Sequence, residues 1–298
     1  MNSKDLLNLL YSNGYNDVDI ETMIEVVFSA YKSNKKEYNS YDFLPQNLIK
    51  LYYSRYNHHS DFSHIISTFK KKYIEQESKL EGTHTSEEIN GLGVVYDYIQ
   101  SNEWQKCANI YMIMLINLKL FSLTPYPEAG GKIRNADCIL KDSSINTCPY
   151  NQIDREISKL YFDFDQLLKK GFLLAENNFE TDEEKITNNE DKIIDYINQC
   201  LKLKCRLIQI HPFQDGNGRT MRALVNILFK VAGIPPVYVK LSERKKYLSA
   251  MNKAIVENDY SDINKFYYYK ICDSILVLDL NQRIKKDLNP KIRKKEIK

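Results

Sequence analysis

The 298-residue chain balances 42 Lys+Arg against 39 Asp+Glu, and its net charge of +3 is too small to make nucleic acid or an acidic membrane surface its main partner. Hydrophobic residues at 43% and charged residues at 27% are ordinary for a globular protein; the most apolar stretch, 110–123, is shorter than a membrane span and contains Asn117 and Lys119. Only ten glycines and eight prolines interrupt apolar residues that recur at helical spacing, which predicts an all-α fold.

Residues 1–62 hold short amphipathic patterns and no readable motif, and are expected to form a small helical N-terminal region. The start of the chain lacks an early basic patch and a small-residue cleavage site, so no secretory leader and a cytoplasmic location are expected. Ile65, Ile66, Phe69 and Tyr73 predict a helix over about 62–80, which Glu81-Gly82 ends. Thr85 followed by Glu88 forms a capping box ahead of Leu92, Val95, Tyr96 and Ile99. Residues 104–121 read as the next helix, apolar on most faces and therefore central.

The stretch 124–149 differs. It contains Pro125, Pro127, Gly130-Gly131, an alternating run over 133–140 and Pro149, the pattern of a small β-hairpin excursion. Helices are expected again over about 151–178, 189–210, 217–232, 242–257 and 261–287, and the basic end 288–298 reads as a solvated tail. The six cysteines, at 107, 138, 148, 200, 205 and 272, show no metal-ligand spacing and read as reduced, mostly buried thiols.

The chemistry concentrates in His211-Pro212-Phe213-Gln214-Asp215-Gly216-Asn217-Gly218-Arg219-Thr220-Met221-Arg222. This segment joins two helical patterns, so it is a loop that runs into a helix N-terminus. Gly216 and Gly218 allow successive N–H groups to face an anion, and the helix dipole adds to that attraction. Arg219 and Arg222, three positions apart, project from nearly the same face and suit a polyphosphate. Asp215 beside phosphates requires a bridging cation, and Mg²⁺ is the usual one. His211 is the side chain that exchanges a proton near neutral pH. The alternative is a glycine-rich turn with solvated charges and a core histidine; so many functional residue types within one short segment favour a site.

This segment resembles the active-site motif of the Fic family, HxFx(D/E)GNGRxxR, at every fixed position. The looser resemblance extends over roughly 75–275. It implies a Fic-type helical bundle with a small β-hairpin flap, the core spanning 83–287, that transfers AMP from ATP to a Tyr, Thr or Ser hydroxyl of a target protein. His211 would deprotonate the target hydroxyl and Phe213 would anchor the loop. Asp215 would hold Mg²⁺, and Gly216, Asn217 and Gly218 the phosphates. Arg219 would fix the β-phosphate and Arg222 the γ-phosphate. Gly218 favours AMP transfer over phosphorylation, because family members that act as kinases have lysine there. Gly131, Ile133 and Arg134 resemble the start of the target-binding flap. Arg244, Tyr247 and Ala250 loosely match a region that closes over the base, although Tyr247 also reads as core.

Many members of that family carry an inhibitory motif, (S/T)xxxE(G/N), whose glutamate pairs with the second arginine. Residues 77–83, Glu-Ser-Lys-Leu-Glu-Gly-Thr, resemble it and make 63–82 an inhibitory helix with Glu81 opposite Arg222. Glu77 departs from the motif's Ser or Thr, and Ser78 is the neighbouring substitute. In some members the same glutamate serves removal of AMP, so demodification is a second implied activity. The expected partners are ATP, Mg²⁺, a protein substrate and a second copy in a homodimer, with the chain's own 22 tyrosines as sites of self-modification and neither nucleic acid nor membrane. Transfer of another nucleotide, phosphocholine or phosphate, and a nucleotide-binding regulatory module without turnover, are the alternatives; an intact His211 argues against the latter.

Overall fold

The helical periodicities become nine helices in the computed structural model, which describes residues 66–82, 85–140, 144–177 and 183–288. In chain order they are α1 (Ile66–Glu81), α2 (Ser86–Gln100), α3 (Met112–Phe121), α4 (Ile153–Lys159), α5 (Tyr161–Asn177), α6 (Glu183–Ile210), α7 (Asn217–Val231), α8 (Arg244–Val256) and α9 (Ser261–Leu288). The helical region expected over 1–62 and the tail beyond 288 lie outside the described residues.

The centre of the bundle is α7. Every residue of it except Gly218 and Lys230 is buried, and it packs against α6, α3, α2, α5 and α1. Its apolar face packs into the core, while Asn217, Arg219, Arg222 and Asn226 on the rest of its circumference are buried beneath the neighbouring elements. Burying Leu224, Ile227, Leu228 and Phe229, all at 0% exposure, contributes about 1.5–3 kcal/mol each. The core therefore fixes the direction of α7 before any site chemistry is considered. Beside it, α2 and α3 cross so closely that a Cβ on Gly91 would lie 2.0 Å from the Leu120 carbonyl oxygen.

Local chemistry sets the ends. The Thr85 hydroxyl oxygen accepts from the Glu88 amide at 3.3 Å, one half of the expected capping box. The Glu88 carboxylate accepts from the Thr85 hydroxyl at 3.0 Å. At the other end of α1, Gly82 at φ +68° lets the chain leave the helix.

Two expected helices are broken. Over 104–121 the chain makes a 3₁₀ turn, Glu103–Cys107, and α3 starts only at Met112. The reason is Asn109, whose side-chain oxygen accepts from the Tyr111 amide at 2.9 Å in an Asx turn that competes with helix. Over 151–178 a kink at Leu160, whose amide turns back to Ile157 O at 2.9 Å, separates α4 from α5.

The expected hairpin is not shown. Among the described residues of 124–149 there is a 3₁₀ turn, Pro127–Ala129, and extended chain, but no strand ladder. Its backbone groups pair elsewhere. Ile133 forms an isolated antiparallel bridge with Phe213, the Arg134 amide donates to Pro212 O at 2.9 Å, and the Cys148 amide donates to Gln209 O at 3.1 Å. The excursion is thus stitched to the loop between α6 and α7.

All six cysteines are free thiols; Cys200, Cys205 and Cys272 are buried, and Cys107 is exposed.

Candidate active site

Helix α6 stops at Ile210 because Pro212 cannot supply the next backbone donor. Between them His211 takes φ +52°, an uncommon conformation for a residue with a Cβ, while its amide still donates to Leu207 O at 3.0 Å. Phe213, 1% exposed, anchors the loop in the core as expected. Asn217 closes the loop, accepting from the Phe213 amide at 2.9 Å and donating to its carbonyl at 2.7 Å. Its side chain therefore shapes the loop rather than facing outward. Gly216 has φ +78°, and a Cβ there would lie 2.8 Å from Leu120 Cδ2 and 2.9 Å from both Asn117 Nδ2 and Phe121 Cε2; only glycine fits. Helix α7 begins one residue later, and the amides of its first turn have no intrahelical partners.

Burial pushes the His211 pKa below its ordinary 6.5, and the Arg134 charge adds to that, against opposition from the Ile208 backbone and Asp215. That shift favours the neutral, proton-accepting imidazole, the form a general base needs. The Asp215 side chain is 66% exposed; one oxygen accepts from the Gly216 amide at 2.6 Å and the other from Arg219 Nη2 at 3.0 Å. Among the described residues no cluster of three or more His, Cys, Asp or Glu is arranged to hold a metal. A lone exposed carboxylate still fits Mg²⁺, which takes one or two carboxylates plus substrate phosphates and water. Arg219 also lies over the Phe121 ring, 5.5 Å from its centroid.

Arg222 is held from α1. Its Nη2 donates to Glu81 Oε1 at 2.6 Å. Its Nε donates to Glu77 Oε1 at 3.0 Å and Oε2 at 2.8 Å, and Nη2 lies 2.7 Å from Glu77 Oε2. Gly218 makes room for this pairing, since a Cβ there would sit 2.7 Å from Glu81 Oε1 and 3.0 Å from Arg222 Nη1. Burial works to raise the Glu81 pKa, but Arg222, helped by Arg219 and Arg244, outweighs it and holds the carboxyl below the usual value. Ser78 takes no part; its hydroxyl donates back along α1 to Glu75 O at 3.0 Å. Arg244 donates to Leu80 O at 3.2 Å, which satisfies a carbonyl at the end of α1, and Tyr247 is buried in the core.

Of the residues expected in a target-binding flap, Arg134 is buried at 4%. It donates through Nε to His211 O at 2.7 Å, through Nη1 to Ala136 O at 2.6 Å, and through Nη2 to Cys148 O and, at 3.4 Å, to Ile210 O. It clamps the excursion to the histidine loop. The Gly131 amide donates to Asn117 Oδ1 at 2.9 Å.

Two residues escape sequence reasoning. Asn117, on the apolar α3, also donates to Asp215 O and Thr220 Oγ1, both at 3.1 Å, and so joins α3, the excursion and the loop. An uncharged polar residue within an apolar helix, where Lys119 is the other polar position, is the signal for it. Glu77 is the other: its spacing of four from Glu81 puts both carboxylates on one face of α1, but nothing in the sequence marks that face as the buried one.

A histidine at the end of one helix, a glycine loop, and two arginines on the first turn of the next, all inside a helical bundle, define a Fic-type domain. The Fic/DOC family model matches residues 123–229, so that segment is a Fic/DOC domain; α1 and its carboxylates lie outside it. The chain is 43% identical over 61 residues to "Protein adenylyltransferase Fic" of Nematostella vectensis, a match covering 20% of this chain and 13% of that protein. It is 34% identical over 83 residues to "Protein adenylyltransferase fic-1" of Caenorhabditis elegans, covering 28% and 16% respectively. The matched segments are thus a small part of these relatives' length. A Fic domain containing signaling protein from Bacteroides thetaiotaomicron shares the fold, with a TM-score of 0.59, 18% identity, and coverage of 78% of this chain and 96% of that one. Fic-1 (aa134 - 508) from C. elegans gives a TM-score of 0.50 at 16% identity, covering 88% and 71%.

Proposed function

We propose that this protein transfers AMP from ATP to a Tyr, Thr or Ser hydroxyl of a target protein, and that Glu81 restrains the reaction. The observation that carries the reading is the placement of His211 ahead of a glycine loop that leads into Arg219 and Arg222 on the first turns of α7. His211 takes the proton of the target hydroxyl, whose oxygen attacks the α-phosphorus. The new O–P bond forms as the bond to the β-phosphate bridging oxygen breaks, and pyrophosphate leaves. Transfer of this kind is mostly positioning and charge stabilisation. The amides of the α7 N-terminus and Arg219 serve the α- and β-phosphates, and Arg222 serves the γ-phosphate. Asp215 would hold Mg²⁺, which supplies positive charge to the phosphates.

The target segment docks beside the excursion that begins at Gly131, Ile133 and Arg134, by strand addition. Ile139, 94% exposed, gives it an apolar foothold. Arg134, buried as it is, supports this excursion from behind. In the closed arrangement Glu81 occupies Arg222 Nη2, the group a γ-phosphate would need, and that contact supports the brake. Labelled-ATP transfer assays on the wild type, Glu81→Gly and His211→Ala test the reading.

A further inference from the structure

Resting on the function proposed above, we infer that Glu77 is the positioning residue for Arg222: it holds the Nε/Nη2 edge of the guanidinium in place, so that only the Nη1/Nη2 end is contested between Glu81 and the nucleotide. A guanidinium offers two edges suited to paired acceptors. Glu77 takes the side edge through both its oxygens, at 2.7–3.0 Å. Glu81 reaches only Nη2, while Nη1 turns toward Gly218, at the first turn of α7 where phosphates are expected to bind.

The two carboxylates, one helical turn apart, differ in what can reach them. The Glu77 side chain is 0% exposed and that of Glu81 33% exposed. Glu81 is also the last residue of α1, next to Gly82 at φ +68°, so it can leave by local fraying of the helix end. Glu77 lies a turn inside, beneath Tyr73, itself 0% exposed.

Charge balance points the same way. Burial raises the Glu77 pKa; Arg222 works most strongly against that rise, and Lys204, whose ammonium hydrogen-bonds Tyr247 at 2.6 Å and Tyr267 at 2.8 Å, adds to the opposition. Glu81 sits among the charges of Arg222, Arg219 and Arg244. When Glu81 leaves, these cations lose an anion, and the γ-phosphate is the anion that replaces it. Glu77 stays and keeps the buried guanidinium from being stranded.

The test compares Glu81→Gly with the double variants Glu81→Gly/Glu77→Gln and Glu81→Gly/Glu77→Ser. Each is titrated calorimetrically with Mg-ATP and with Mg-ADP, and the steady-state kinetics of AMP transfer are measured. Glutamine keeps the size of Glu77, so that variant stays informative if serine unfolds the protein. The expected result is ADP affinity within about twofold throughout, and ATP affinity weakened about tenfold by Glu77→Gln and further by Glu77→Ser, with the kinetic loss in KM more than in kcat. A ratio of ATP to ADP affinity that does not move would reduce Glu77 to packing. Tighter ATP binding without Glu77 would make it a second brake. Both overturn the inference. Absence of any ATP preference in Glu81→Gly itself would overturn the γ-phosphate role of Arg222, a failure visible before Glu77 is touched.

Discussion

Glu81 and Arg222, 141 positions apart in sequence, meet at 2.6 Å between the last residue of α1 and the first turns of α7. The pair ties α1, which precedes the matched segment 123–229, to the arginine proposed to hold the γ-phosphate. Because Glu77 remains on Arg222, the guanidinium keeps a carboxylate partner when Glu81 is lost. Glu81→Gly is therefore expected to raise AMP transfer on the order of 10- to 100-fold, the usual range of a coupling between two sites, with little change in thermal stability. Initial rates and melting curves check both halves, and an unchanged rate with equal ATP binding in the two forms would remove the brake.

The acid limb of the activity should lie low. Burial, aided by Arg134, depresses the His211 pKa below 6.5, so the proton-accepting form is lost only as pH falls below that value. The pH profile of kcat/KM for Glu81→Gly should be flat from about 7 to 8 and decline with a midpoint below the ordinary histidine value. A limb centred above it would contradict the assignment of His211 as base.

Arg134 is expected to matter through His211 rather than through the target alone. Its guanidinium satisfies the carbonyls of His211, Ala136 and Cys148, and Arg134→Ala strands them, at a cost of about 1–3 kcal/mol. Transfer should fall even at temperatures where the variant is fully folded. Arg134→Lys should not restore it, because a point charge cannot reach three carbonyls in different directions. Recovery of full activity with lysine would show that charge alone matters.

Asn117 is the corresponding test of the other side of the loop. Asn117→Leu keeps the size but leaves the Gly131 amide and the Asp215 carbonyl without their partner. A loss of about 1–3 kcal/mol in stability is expected, together with weaker nucleotide binding, as read by melting curves with and without Mg-ATP. Wild-type affinity in a destabilised variant would limit Asn117 to a structural role.

What the sequence reveals of this site follows how local each feature is. The loop is legible because its residues are contiguous, from His211 to Arg222, and the boundaries of α7 follow from Gly216 and the apolar run after it. Glu81 is legible through its glycine neighbour. Glu77 reads as a mismatch, since a buried carboxylate is recognisable only once the face of α1 that meets Arg222 is known. The alternation over 133–140 reads as one arm of a hairpin, yet Arg134 and Ile133 direct that chain onto the Phe213 loop, a long-range pairing that local periodicity does not encode. The break before α3 turns on one Asx turn at Asn109, too small a signal against the apolar residues around it.

The most direct measurement incubates the wild type, Glu81→Gly and His211→Ala with Mg²⁺ and a cell lysate, using ATP labelled at the α-phosphate in one series and at the γ-phosphate in another. The account predicts protein bands labelled only from the α-phosphate, stronger with Glu81→Gly, and reduced about 10²–10⁴-fold with His211→Ala. Label arriving from the γ-phosphate, or α-label that persists without His211, would contradict it.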